Sequence, residues 1–146
     1  MKTELPDVSV WFALSVNNHS HHKIAMDWLS TATHRGSVAF NRATQQGLLR
    51  LLTTKVIMQA YGKAPLVNAD AWKLQQTWMT DDRMAYLEEP PELDAQWKPL
   101  GAIRTVSPKL WMDAYLAAFA ITRGNTMVTT DTAFKQFKGL DLVLLS

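Results

Sequence analysis

The chain has 146 residues, enough for one ordinary domain spanning 1–146, and its 47% hydrophobic and 19% charged content suits a full core and excludes a disordered chain. It has no cysteine, which excludes disulfides, zinc–thiolate sites and cysteine nucleophiles, and no apolar run nears the roughly 18 residues of a membrane span; with no apolar leader core either, the expected compartment is the cytoplasm. A formal net charge of +2 permits an anionic partner without demanding one, so function has to be read from where particular acids and bases sit.

Thr3 to Pro6 reads as a strand that stops at the proline. Val8 to Leu14 is apolar almost throughout; it continues that strand or begins a short helix, and a turn at Asp7 is preferred. Ser20 is a fitting N-cap for a helix carrying Ile24, Ala25, Trp28 and Leu29 at helical spacing, ended by Gly36. Val38 to Phe40 reads as a short buried strand, and Asn41 caps a helix that runs to about Thr53. Lys55 to Pro65 reads as irregular, and Asn68 caps a helix from Ala69 to about Thr80. Met84 to Leu87 is a strand, and Pro91 suits the first turn of a helix, where its missing N–H is no loss. Ser107-Pro108 gives an N-cap followed by proline, Leu110 to Arg123 is a strong helix, and Gly124 is its stop. Thr126 to Thr130 is a β-branched strand ending at Asp131, a short helix follows to Phe137, and Leu142 to Leu145 is a final strand.

Strands alternating with helices imply an α/β fold with a parallel sheet of about five strands covered on both faces. Sheets of this type bind ligands beyond the carboxyl ends of their strands. Asp7 and Asp131 each follow a strand, and Asp113 sits early in the helix that leads into the fourth strand. Each alone is better explained as a cap or turn residue. Three carboxylates converging on one edge would repel one another without a cation, and oxygen ligands select magnesium or manganese. Such an ion suits phosphodiester hydrolysis by activated water.

Several blocks resemble a known family. Leu5-Pro6-Asp7-Val8-Ser9-Val10-Trp11-Phe12-Ala13-Leu14 resembles the opening of PIN-domain toxins of the VapC type. His19-Ser20-His21-His22 with Ala25 and Trp28-Leu29, then Arg42 to Thr53, Leu110 to Ala118 and Val128-Thr129-Thr130-Asp131, follow the same pattern in order. The resemblance implies a PIN-like fold with a five-stranded parallel sheet in the order 3-2-1-4-5. It further implies a Mg²⁺-dependent or Mn²⁺-dependent endoribonuclease, the toxin of a type II toxin–antitoxin system, neutralised by a small antitoxin protein and forming a homodimer. By the same resemblance Asp7, Asp113 and Asp131 hold the metal, Ser9 orients the first carboxylate, and Thr130 lies at a polar position near the site. One departure stands out. PIN nucleases usually add a glutamate from the helix after the second strand, and no acid lies between Asp27 and Asp70 here. Gln45 is the preferred counterpart, with Gly47 the alternative alignment. The site then carries one negative charge fewer, and an alternative function is a non-catalytic PIN-like module that binds RNA or protein.

Arg42 and Arg50 lie on about one face of the Gln45 helix, and Arg42 is the better placed for RNA phosphate. His19, His21 and His22 read as a solvated helix start in preference to a metal site, and Lys135 and Lys138 as a solvated face or an RNA guide. Trp72, Leu74 and Trp78 read as core rather than interface, as does the stripe Tyr115, Leu116, Phe119 and Ala120. No nucleophile elbow and no phosphate-cradling glycine loop is present, which argues against nucleotide-cofactor enzymes. A small α/β phosphatase or DNA nuclease using the same acids is the reading outside the family.

Overall fold

The structure is a computed structural model that describes residues 2–146. In chain order the elements are β1 (Glu4–Pro6), α1 (Val8–Ser15), α2 (His22–Leu29), β2 (Val38–Phe40), α3 (Arg42–Leu52), α4 (Lys55–Gln59), α5 (Asn68–Met79), β3 (Met84–Tyr86), α6 (Asp94–Gly101), α7 (Leu110–Arg123), β4 (Thr126–Thr129), a short 3-10 helix (Thr132–Gln136) and β5 (Asp141–Leu144). The strands form one sheet in the order β3-β2-β1-β4-β5, with every pairing parallel. This is the expected topology.

Alternation along the strands divides the core into two layers. Val38, Phe40 and Val128 face a cluster built by α1, α2, α3 and α5, while Ala39 and Met127 face α7 with Phe134 and Phe137. Trp11 of α1 stacks on Phe40 with ring centroids 3.7 Å apart, and Trp78 of α5 closes on it edge-on at 5.8 Å. Trp78 satisfies its indole N–H on Ser15 Oγ at 2.9 Å, which allows a polar ring tip inside the layer.

Several local expectations shift. Val8 to Leu14 is helical, and the chain turns at Asp7, whose side chain caps α1. Residues Val10 to Leu14 are all buried, so no polar face marks the helical period in the sequence. Lys55–Gln59 forms a short helix inside the stretch expected to be irregular. Asn68 lies within α5, after the cap residue Val67, and His21 rather than Ser20 occupies the cap position of α2. Ser107 does not cap α7: residues 108 and 109 form a turn closed by Leu110 N–H on Ser107 C=O at 3.2 Å, and the α-helix begins at Leu110. Pro91 sits in a turn ahead of α6, which starts at Asp94. Trp72 is not core: it is 52% exposed on α5, whereas Leu74 and Trp78 pack against the first core layer as expected. Of the α7 stripe, Leu116, Phe119 and Ala120 are buried and Tyr115 is partly so.

Candidate active site

Parallel pairing of β1 with β4, with Pro6 opposite Val128, brings the residues that follow both strands to one sheet edge. Asp7 and Asp131 occupy that edge. Asp7 is 5% exposed and caps α1: its Oδ1 accepts from Val10 N–H at 3.1 Å and Ser9 Oγ at 2.6 Å, and its Oδ2 accepts from Thr129 Oγ1 at 2.6 Å. Burial pushes the Asp7 carboxyl above its ordinary value; the three hydrogen bonds oppose that rise, and the charge of Asp131 adds to it. Asp131 is exposed and caps the 3-10 helix, its Oδ1 accepting from Ala133 N–H at 2.8 Å. Asp113 stands half-buried in the first turn of α7. Burial raises its carboxyl first, then the charges of Asp131 and Asp7, with Lys109 opposing.

Asp113 is thus raised by both other aspartates and Asp7 by Asp131, although Asp7 and Asp131 also serve as helix caps. Among the described residues, no three acidic or imidazole groups stand close enough to ligate one ion together. The donor chemistry still suits a hard divalent cation: carboxylate oxygens gathered at one edge are relieved by positive charge between them. Asp7, Asp113 and Asp131 are the residues that could hold it.

The hydroxyls around these acids include one that the sequence did not single out. Thr129, fully buried, donates to Asp7 and accepts from Asp131 N–H at 3.0 Å, so one side chain links both acids. Its only signal in the sequence is a threonine two residues before Asp131, next to Thr130. Thr130 Oγ1 lies 3.3 Å from Ser9 Oγ and so extends the same network outward.

Gln45 is not drawn into this network. Its oxygen accepts from Arg42 Nη1 at 2.6 Å and its amide donates to Gln75 on α5 at 3.2 Å, so the buried side chain is turned toward α5. Gly47, two residues and about half a turn further along α3, faces Val8, the residue after Asp7. A Cβ at position 47 would meet Val8 Cγ2 at 2.5 Å, so the valine fills the space in which a longer side chain would stand. Arg42 is exposed with its guanidinium 5.1 Å from the Tyr86 ring centre, and Arg50 is exposed on the same helix beside Leu49 and Thr53. The histidines serve the α1–α2 connection: His22 Nδ1 is 2.7 Å from Ala13 C=O, His19 Nδ1 accepts from His21 N–H at 3.0 Å, and His19 stacks on Tyr61.

The PIN domain family model matches residues 5–140. Ribonuclease VapC41 of Mycobacterium tuberculosis (strain CDC 1551 / Oshkosh) is 47% identical over 143 residues, covering 97% of this chain and 98% of that protein. Among solved structures, VapBC-1 of nontypeable Haemophilus influenzae superposes with a TM-score of 0.66 at 14% identity, covering 97% of each chain. VapBC2 of Rickettsia felis, bound to a DNA fragment from its promoter, superposes with a TM-score of 0.65 at 11% identity, covering 99% of each chain. At those identities the structures speak for the fold, and the fold is theirs. The family match over most of the chain and the near-full-length relative settle the lineage: this chain belongs to the PIN-domain family, among its VapC-type members.

Proposed function

We propose that this chain is a divalent-metal-dependent endoribonuclease, the toxin of a type II toxin–antitoxin pair, acting in the cytoplasm. The observation that carries the reading is the placement of Asp7 and Asp131 after the paired strands β1 and β4, with Asp113 raised by the charges of both and Asp7 by that of Asp131. The relative at 47% identity, named a ribonuclease, supports the RNA substrate, and the VapBC structures support a small antitoxin as partner. A homodimer is proposed on the same family ground.

Asp7, Asp113 and Asp131 would hold Mg²⁺ or Mn²⁺, which when bound supplies charge neutralisation and a water of lowered pKa. The chain's own contribution is positional. Thr129 and Ser9 fix both oxygens of Asp7, while Asp131, exposed at the rim, stays open toward solvent. Arg42 offers its guanidinium to a phosphate on the substrate strand, in a fork geometry suited to two oxygens. The test is cleavage of RNA in Mg²⁺, in EDTA, and by Asp113→Asn and Asp131→Asn. Each substitution should lower turnover by more than about 100-fold, beyond the 10–100-fold of an outer-shell change. Undiminished cleavage by either variant would remove that residue from the site.

One observation favours a second reading. Gly47 and Gln45 bring no acid to the edge, which fits a module that binds RNA or protein without cutting. RNA binding with no cleavage in saturating Mg²⁺ or Mn²⁺ would select it.

A further inference from the structure

Beside the acidic edge a groove of about 560 Å³ runs between α3, the segment after β3, and α7. That size falls in the range of small-ligand sites. Met112 forms part of its wall and directly precedes Asp113 in α7.

One wall is aromatic and held in place. Trp111 is 51% exposed, yet Trp97 meets it edge-on with centroids 6.1 Å apart and donates its indole N–H to Trp111 C=O at 3.1 Å. Tyr115 backs Trp97 edge-on at 5.3 Å. A half-exposed indole fixed by neighbouring rings presents a flat apolar surface at little entropic cost. The lining also carries two carboxylates, Glu88 and Glu89, beside the donors of Arg42 and Gln46. The Glu88 carboxylate is exposed with no hydrogen-bond or ion-pair partner among the described residues, while Glu89 takes the Tyr115 hydroxyl on one oxygen at 2.7 Å and keeps the other free. Two carboxylates repel phosphate, so a nucleotide entering here turns its base inward and leaves its phosphate toward Arg42.

We propose that this groove is a nucleobase subsite that takes one base of the RNA next to the cut, with Trp111 as the stacking platform and Glu88 selecting guanine. The assignment rests on the ribonuclease reading for its substrate. Guanine carries an N1–H and an N2 amino group on one edge, two parallel donors that match a single carboxylate. Uracil offers one N–H between two carbonyl oxygens, which a carboxylate repels. Stacking gives affinity for any base, and the carboxylate gives the choice.

The test uses the full chain in EDTA, with tryptophan fluorescence and anisotropy reading the binding of two hexamers: all uridine, and uridine with one guanosine. Wild type should bind the guanosine hexamer at least about tenfold more tightly, since a good bidentate base contact gives roughly that discrimination. Trp111→Ala should weaken both by about tenfold, and Trp111→Phe should recover most of that loss. Glu88→Gln should reduce the guanosine preference to less than about twofold, with thermal unfolding confirming that each variant is folded. Equal binding of both hexamers by wild type, or wild-type binding by Trp111→Ala, would overturn the subsite. Trp111→Ala that binds RNA normally but escapes a co-expressed antitoxin would overturn it too, reassigning the groove to protein. Cleavage in Mg²⁺ is followed in parallel: wild type that binds guanosine selectively but never cuts defeats the nuclease reading and leaves the subsite standing. Wild type that cuts without any base preference does the reverse.

Discussion

The Thr129 hydroxyl bridges the first and last acids of the site, donating to Asp7 and receiving from Asp131 N–H. Thr129→Val keeps the volume and removes both bonds. We expect a stability loss of about 1.5–3 kcal/mol, the usual range for a hydrogen bond to a charged group, together with lower RNA cleavage. Chemical denaturation and turnover read the two effects; a variant unchanged in both would show that Asp7 needs no such support. His19 makes a second prediction at this scale. Burial lowers its pKa below the ordinary 6.5, and the charges of His21 and His22 push the same way. A base held below its unfolded value stabilises the fold above about pH 6.5, and that contribution fades as pH falls toward the folded value. Protonation also removes the acceptor that His19 Nδ1 offers to His21 N–H. The melting temperature should therefore drop between pH 7.5 and pH 5, and drop less for His19→Gln. Equal slopes would place the acid sensitivity in other groups.

At the scale of elements, the contact of α3 with α1 depends on Gly47 leaving room for Val8. Alanine favours a helix interior over glycine by about 0.8–1 kcal/mol, but here its methyl group meets a branched side chain with one preferred rotamer. We predict that Gly47→Ala destabilises by about 1–3 kcal/mol through overpacking, and that adding Val8→Ala restores most of it. A double-mutant cycle by denaturant unfolding measures the coupling; additive effects would mean that the two helices separate freely. The elements also show what patterning makes legible. The helix over Leu110–Arg123 was plain in the sequence because it runs for 14 residues and stops at Gly124, which takes the left-handed conformation. Helix α1 was ambiguous because its buried residues run without a break, and α4 was invisible because five residues carry no period.

For the whole molecule, the two core layers fix the sheet, and the sheet edge gathers acids that repel one another. A cation that binds only the folded state must raise stability by mass action, by about 2.7 kcal/mol at a hundredfold excess over its Kd. Added Mg²⁺ should thus raise the melting temperature by several degrees, EDTA should reverse it, and Asp113→Asn/Asp131→Asn should respond little. No shift in wild type at millimolar Mg²⁺ would count against the metal. The three aspartates were legible because strand ends and a helix start are marked by proline, glycine and β-branched residues in the sequence. The role of Gln45 was not, because spacing along α3 gives its face only to within a turn, and the pull of Arg42 and Gln75 decides where its amide points.

Local chemistry along the chain determined the alternation of strands and helices, and hence a parallel sheet with acids after its strands. Periodicity and turn residues act over a few neighbours, so they need no knowledge of the rest. The tertiary structure alone decided that Thr129 joins Asp7 to Asp131, that Val8 occupies the space beside Gly47, and that Trp72 and Trp111 face solvent. Those facts follow from contacts between residues distant in sequence, whose partners are fixed only when the layers pack.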